Sequence, residues 1–234
     1  MKIQSLFVTG TDTEVGKTLV TALLALHFGA RGTDVGIMKP FASGCAHENG
    51  VLVSQDAQFL KDVCELDEDL DLINPARWEE ALAPLVAIRR ALDTQNYWPR
   101  VLESYDALAA RHEIVLVEGV GGVLAPLGER DGKILTCLDL MNTLALPVVV
   151  VARRTLGTIN HTLLTIETLR NANLEVAGLV FCDAVPVEEN DIAAQTSTSI
   201  IAEISGAKIL GVVPHLENLS REILRAAASD YLNI

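Results

Sequence analysis

"VTGTDTEVGKTL", residues 8–19, stands between an apolar run and a helical pattern, and its reading decides the fold. Gly16, Lys17 and Thr18 supply the Gly-Lys-Ser/Thr ending of a phosphate-binding loop. The usual pattern places four residues between a first glycine and that ending. Here five residues separate Gly10 from Gly16, so Thr11 takes the place of the first glycine. Between a strand and a helix, successive backbone N–H groups and the helix dipole make an anion site. Gly16 allows close approach of a phosphate, Lys17 offers charge to the β- and γ-phosphates, and the Thr18 hydroxyl is placed to reach Mg²⁺. The plainer alternative is a helix start capped by Thr11 or Thr13, with Lys17 an ordinary surface lysine.

Outward from the loop, short apolar runs alternate with amphipathic stretches. "SLFVT" (5–9), "DVGIMK" (34–39), "EIVLVEG" (113–119), "PVVVVA" (147–152), "VAGLVF" (176–181) and "KILGVV" (208–213) read as strands. A helix is expected from the loop to about residue 30, and others over 158–174 and 191–205. This alternation predicts an α/β fold: one doubly wound, mostly parallel sheet with helices on both faces, as a single domain over residues 1–234. Ligands of such sheets gather beyond the carboxyl ends of the strands. Four of the expected strands end there in polar or glycine-rich segments: "GTDTEVGKT", "KPFASG", "EGVGG" and "RRTLGTINH".

Those segments supply the remaining chemistry. Glu118 ends an apolar strand at the edge near the loop, and Mg²⁺ in phosphoryl-transfer sites is held by one or two carboxylates together with phosphates and water. Gly119, Gly121 and Gly122 keep the backbone after it narrow, as a phosphate site or a plain glycine turn requires. Asp56 could be a second carboxylate for the metal, but an isolated aspartate near a helix start is more often a partner of the helix dipole, and spacing alone does not promote it. Lys39 ends the second strand before Pro40, which favours an extended backbone. Its ammonium is then directed to the same edge, with Ser43 one short loop away, placed to stabilise charge on a transferring phosphoryl group.

Composition narrows the class. Half of the 234 residues are hydrophobic and only 4% aromatic, which suits an aliphatic core around a parallel sheet. The net charge of −13 argues against nucleic acid or an anionic membrane as the main partner. Cys45, Cys64, Cys137 and Cys182 show neither metal spacing nor a secreted disulfide framework. The N-terminal run lacks a signal-peptide pattern, and "ALPVVVVA" (145–152) is too short to span a bilayer, so a cytoplasmic protein is expected.

Taken together, "GTDTEVGKT" (10–18), "KPFASG" (39–44), "EGVGG" (118–122), "LPVVVVARRTLGTINH" (146–161) and "GVVPHLEN" (211–218) resemble the dethiobiotin synthetase family in order and spacing. The threonine in the loop is that family's own variant. The resemblance covers nearly the whole chain. It implies ATP- and Mg²⁺-dependent carboxylation of 7,8-diaminononanoate by CO₂ or bicarbonate, followed by closure of a ureido ring. It also implies roles. Lys17 and Lys39 neutralise the carbamate and the transferring phosphoryl group, while Thr18, Asp56 and Glu118 hold the metal. Glu14, Val15, Gly16, Leu19, Gly119, Val120 and Gly121 surround the nucleotide phosphates. Cys182, Asp183, Pro214, His215 and Leu216 border the base. Thr13, Ser43 and Gly121 meet the carbamate or diamine. Gly157, Thr158, Ile159 and Asn160 meet the substrate across a homodimer interface, where a helix N-terminus would offer N–H groups to a carboxylate.

Two positions depart from the family. Cys182 stands where an asparagine usually reads adenine, and a thiol cannot reproduce a bidentate amide contact. Relaxed choice among ATP, GTP and CTP follows as an expectation. Leu85 follows Pro84 where a Pro-His pair is usual, which bears on the diamine-side wall. Three rivals remain. A partitioning-type ATPase switch would carry a signature lysine early in the loop, and "GTDTEV" has none. A glutamine-dependent amidating enzyme needs a further domain with a nucleophilic cysteine. A diverged relative acting on another diamine stays open through Cys182 and Leu85.

Overall fold

The computed structural model describes residues 4–188 and 190–234. β1 (Leu6–Gly10) leads through the phosphate-loop segment into α1 (Lys17–Gly29), and β2 (Val35–Met38) follows. A polar excursion comes next: β3 (Phe41–Ser43), β4 (Ala46–Glu48), β5 (Val51–Val53), α2 (Gln55–Cys64), α3 (Leu70–Ile73), β6 (Ala76–Trp78) and α4 (Pro84–Arg90). The chain continues through α5 (Trp98–Ala109), β7 (Ile114–Gly122), the hairpin of β8 (Pro126–Arg130) and β9 (Lys133–Thr136), and α6 (Cys137–Leu144). It closes with β10 (Val148–Ala152), α7 (Thr158–Asn171), β11 (Val176–Cys182), α8 (Ile192–Ser205), β12 (Ile209–Val213) and α9 (Arg221–Tyr231).

Six strands form one parallel sheet in the order β12-β11-β10-β1-β7-β2. The strands expected from the sequence form to within a residue at each end, except that β7 runs on to Gly122. The helix expected over 158–174 stops at Asn171, and Asn173 takes a left-handed backbone (φ 58°) just beyond it. What sequence reading did not foresee is the set of short pairs beside the sheet: β3 with β6, β4 with β5, and β8 with β9.

Alternation within the strands divides the core into two faces. Phe7, Val117, Val150 and Phe181 point to the side covered by α5, α6 and α7. Val8, Leu116, Val149 and Val180 point to the side covered by α1, α2 and α9. All five residues of β10 are fully buried. Both faces of the strand are therefore apolar, and its valine run suits a β-branched, doubly covered position. Each such side chain removed from water contributes about 1.5–3 kcal/mol before entropy is counted.

Strand order reverses at β1. From there the chain runs first to β2 and back to β7 on one side, then to β10, β11 and β12 on the other. This switch point opens a crevice at the carboxyl end of β1, where the loop 11–16 lies.

Candidate active site

The loop solves its geometry without a glycine at position 11. The Thr11 N–H donates to the Val151 carbonyl at 3.0 Å, so this residue still extends the sheet edge. The left-handed turns fall later, at Glu14 (φ 55°) and Gly16 (φ 90°). Gly10 is needed for space: a Cβ there would lie 2.7 Å from Val15 Cγ2 and 2.8 Å from the Asp12 carbonyl. Gly16 is needed for both reasons, since a Cβ on it would overlap the Cys182 sulfur. The Lys17 ammonium donates to the Asp12 carbonyl at 2.7 Å and so braces the loop from within.

Four predicted residues converge at the mouth of this loop. Thr18 Oγ1 donates to Glu118 Oε1 at 2.7 Å, and Lys39 Nζ donates to the same oxygen at 2.7 Å. Lys39 is also ion-paired with Asp56. Glu118 is fully buried, and its other oxygen, Oε2, is buried without a hydrogen-bond partner. An orphaned carboxylate oxygen, a second carboxylate and a hydroxyl form a hard-oxygen donor set that fits Mg²⁺. Burial lowers the pKa of Lys17 below the ordinary lysine value; Glu118 opposes that effect and the Lys39 charge adds to it. Burial also works against the Lys39 ammonium, but Glu118 and Asp56 outweigh it and hold its pKa above the ordinary value.

Local sequence fixes these side chains. Ser54 caps α2 by accepting from the Ala57 N–H at 3.3 Å, which sets Asp56 in the first helical turn. Lys39 is held at its backbone: its N–H donates to the Ile73 carbonyl at 2.8 Å, and its carbonyl accepts from Asn74 Nδ2 at 2.7 Å. Asn74 is buried, and no motif had singled it out. An asparagine before a proline in "INPA" carries no chemistry that a sequence scan would register.

A cleft of about 700 Å³ opens onto this cluster. Of the predicted residues, Thr13, Glu14, Gly16, Lys17, Thr18, Leu19, Lys39, Ser43, Asp56, Glu118, Gly119, Val120 and Gly121 line it, facing an apolar wall of Ala81–Pro84. Val15 is buried beneath the loop. Asp183 is also buried and is paired with Arg154, whose Nε donates to Oδ1 at 3.1 Å; sequence reading had not noticed this partner. Pro214, His215 and Leu216 follow β12 outside the cleft lining, with His215 exposed and Pro214 and Leu216 half-buried. Gly157, Thr158, Ile159 and Asn160 begin α7, also away from that lining. The Thr158 N–H is committed to the Thr155 carbonyl at 3.1 Å, and its hydroxyl donates to the Arg153 carbonyl at 2.5 Å.

Comparison with known proteins shows the family. Residues 4–223 match the family described as "AAA domain". An ATP-dependent dethiobiotin synthetase of Thermodesulfovibrio yellowstonii is 39% identical over 219 residues, 92% of this chain and 90% of that protein. The chain belongs to the dethiobiotin synthetase family. A second relative of that name, from Anaeromyxobacter dehalogenans, is 41% identical over 94% of this chain and 93% of its own. One from Bacillus subtilis is 34% identical over 99% and 96%. Among solved structures, the MinC:MinD cell division complex of Aquifex aeolicus superposes with a TM-score of 0.54 at 13% identity, covering 96% of this chain and 86% of that one, a likeness of fold alone.

Against the family pattern, the two departures fall in different places. Cys182 ends β11 with its sulfur against Gly16, fully buried, and burial first, with the Asp183 charge adding, pushes its thiol up to about 12. The thiol is thus packed under the phosphate loop. Leu85 turns away from the cleft that Pro84 lines and closes a neighbouring cavity with Phe41 and Trp98. Leu85 therefore does not border the phosphate cluster.

Proposed function

We propose that this dethiobiotin synthetase family member closes the ureido ring of dethiobiotin from 7,8-diaminononanoate, CO₂ and ATP. The convergence of Thr18, Lys39, Asp56 and Glu118 at the mouth of the phosphate loop is the observation that carries this reading. One amine of the substrate attacks CO₂ and loses a proton, giving a carbamate. A carbamate oxygen attacks the γ-phosphorus, and the bond to the β,γ-bridging oxygen breaks to release ADP. The second amine attacks the carbamoyl carbon of the resulting anhydride, expels phosphate and closes the five-membered ring.

Phosphoryl transfer needs position and charge neutralisation more than covalent catalysis. Lys17, freed from the Asp12 carbonyl by an incoming phosphate, neutralises the β- and γ-phosphates. Lys39 faces the carbamate and the transferring group, with Ser43 and Thr13 on the substrate side of the cleft. The alanine, leucine and proline wall at 81–84 suits a methylene chain and keeps water from the anhydride. Thr18, Asp56 and Glu118 would hold Mg²⁺, which would neutralise charge on the phosphates when bound.

Two finer points belong to the same reading. The protein works as a homodimer with the 157–160 turn meeting the partner's substrate, which the exposed Leu156 and Leu164 on either side of that turn support (90% and 59% exposed). The enzyme accepts GTP and CTP beside ATP, because with the Cys182 thiol packed beneath the phosphate loop no paired donor and acceptor from position 182 meets a base. Its use of ATP fits a cytoplasmic enzyme.

Purified protein with ATP, MgCl₂, bicarbonate and 7,8-diaminononanoate should yield dethiobiotin, and ATP hydrolysis without ring closure would overturn the assignment. Comparing ATP, GTP and CTP as donors tests base choice; a strong preference for ATP would sink that part. Light scattering of the eluted protein reports the dimer, and a monomer at assay concentration would refute it.

A further inference from the structure

Lys39 has more partners than a lysine poised only for substrate would need. Its side chain is buried, and its ammonium joins Asp56 to Glu118. The Glu118 oxygen it contacts also receives the Thr18 hydroxyl, whereas the opposite oxygen has no partner. The ammonium therefore binds the same carboxylates that, on the reading above, hold a divalent metal. Lys17 lies close enough for its charge to act on the same cluster.

We infer that Lys39 serves as a stand-in cation: its ammonium neutralises Asp56 and Glu118 until a divalent ion takes over those carboxylates, and it is released toward the reacting groups by that exchange. This rests on the assignment of Thr18, Asp56 and Glu118 as metal ligands. The physical basis is charge. Glu118 is fully buried and its charge is costly to leave unpaired, while the more exposed Asp56 supplies the second pole of the ammonium's pairing. Nor do an ammonium and a divalent ion share the same pair of carboxylates at close range without strong like-charge repulsion.

The backbone limits the exchange to a side-chain movement. Lys39 N–H and C=O are both held, by Ile73 and Asn74, and Pro40 stiffens the next link. A freed ammonium can therefore only swing about a fixed Cα, and both Lys39 and Ser43 face the cleft beside the phosphate loop. The lysine becomes available to the carbamate and the transferring phosphoryl group only once the metal is in place. A nucleotide that arrives without its metal meets a lysine still engaged with the carboxylates.

The test uses the full-length, nucleotide-free protein and Mn²⁺ as a probe, followed by loss of the free-ion electron paramagnetic resonance signal. Lys39→Met should bind Mn²⁺ about tenfold tighter than the wild type, because a competing charge is gone. The same variant should gain more thermal stability from Mn²⁺ than the wild type does. Equal or weaker binding by Lys39→Met, with Asp56→Asn still lowering affinity in both backgrounds, overturns the exchange but leaves the ligand assignment standing. Binding that ignores both Asp56→Asn and Glu118→Gln overturns the ligand assignment itself. Should Lys39→Met fail to fold, the wild-type protein suffices. The buried Lys39 ammonium should give a protected ¹H–¹⁵N signal, assigned by its absence in Lys39→Arg. That signal should be lost or strongly shifted as Mg²⁺ is added, and a signal unmoved at saturating Mg²⁺ refutes the inference.

Discussion

Gly16→Ala should damage the loop through two separable effects, and Cys182→Ala should relieve only one of them. At φ 90° an alanine is held in a left-handed backbone, which costs about 1–2 kcal/mol. Its Cβ also overlaps the Cys182 sulfur, and forcing extra volume into a packed core costs about 1–3 kcal/mol. Gly16→Ala alone should therefore lose about 2–5 kcal/mol. Cys182→Ala alone leaves a small void beneath the loop and should cost about 1 kcal/mol. In the double variant the sulfur overlap is gone, while a tight 3.0 Å approach to the Cβ of residue 182 and the backbone term remain. The pair should then be more stable than the sum of the single losses by about 1–3 kcal/mol. Urea denaturation of the four proteins closes the cycle, and nucleotide affinity measured alongside should fall in Gly16→Ala and partly recover in the double variant. Additivity to within about 0.5 kcal/mol would show that the sulfur does not confine Gly16, and the account of the loop's floor would be wrong.

Lys17→Ala should abolish detectable dethiobiotin formation while retaining the folded protein's circular dichroism spectrum; substantial residual turnover would refute its role at the phosphates. Asn74→Ala should cost about 1–3 kcal/mol, because the Lys39 carbonyl loses its buried donor, and should lower kcat more than it raises KM; an unchanged kcat would show that Lys39 is held without it. His112 lies against Asp34 and Glu68, each 2.9 Å from a ring nitrogen. Burial opposes its charge, but the two carboxylates outweigh it and raise its pKa above the ordinary histidine value. Its contribution to stability is thus full below about pH 6.5 and is lost as pH rises through the raised value. The melting temperature of His112→Gln should fall furthest below the wild type's in acid, with the gap narrowing above neutrality; a gap independent of pH would refute the ionic account.

The sheet was legible because its information is local. The valines of β10 and the apolar run ending at Glu118 announce buried strands whatever the rest of the chain does. Lys17, Thr18 and Lys39 were legible for a related reason: each sits at a strand end or helix start whose position the pattern sets. The short paired strands were not, since three residues such as Phe41–Ser43 carry too little periodicity to separate a strand from a loop. Asn74 and Arg154 escaped for another reason. Each acts on a residue far away in sequence, Lys39 and Asp183, and only folding brings the partners together. Cys182 was read by analogy as a neighbour of the base. Its burial against Gly16 comes from register, because β11 ends beside the sheet edge from which the loop departs.

The same register explains how the loop works with one glycine fewer at its start. A glycine is favoured where the backbone turns left-handed and required where a Cβ would collide, and Thr11 meets neither condition. Its N–H remains in the β10 ladder, and the turn is deferred to Glu14 and Gly16. Deferral has a structural cost: Glu14, a residue with a side chain, is held at φ 55° in the cleft wall, a placement worth about 1–2 kcal/mol of strain. A glycine at 14 would avoid that strain and would also leave the backbone N–H groups around the phosphates less fixed before the nucleotide arrives. The loop thus trades stability for a preset anion site. This is the arrangement expected of a reaction in which positioning and charge, with no covalent intermediate on the protein, carry the rate.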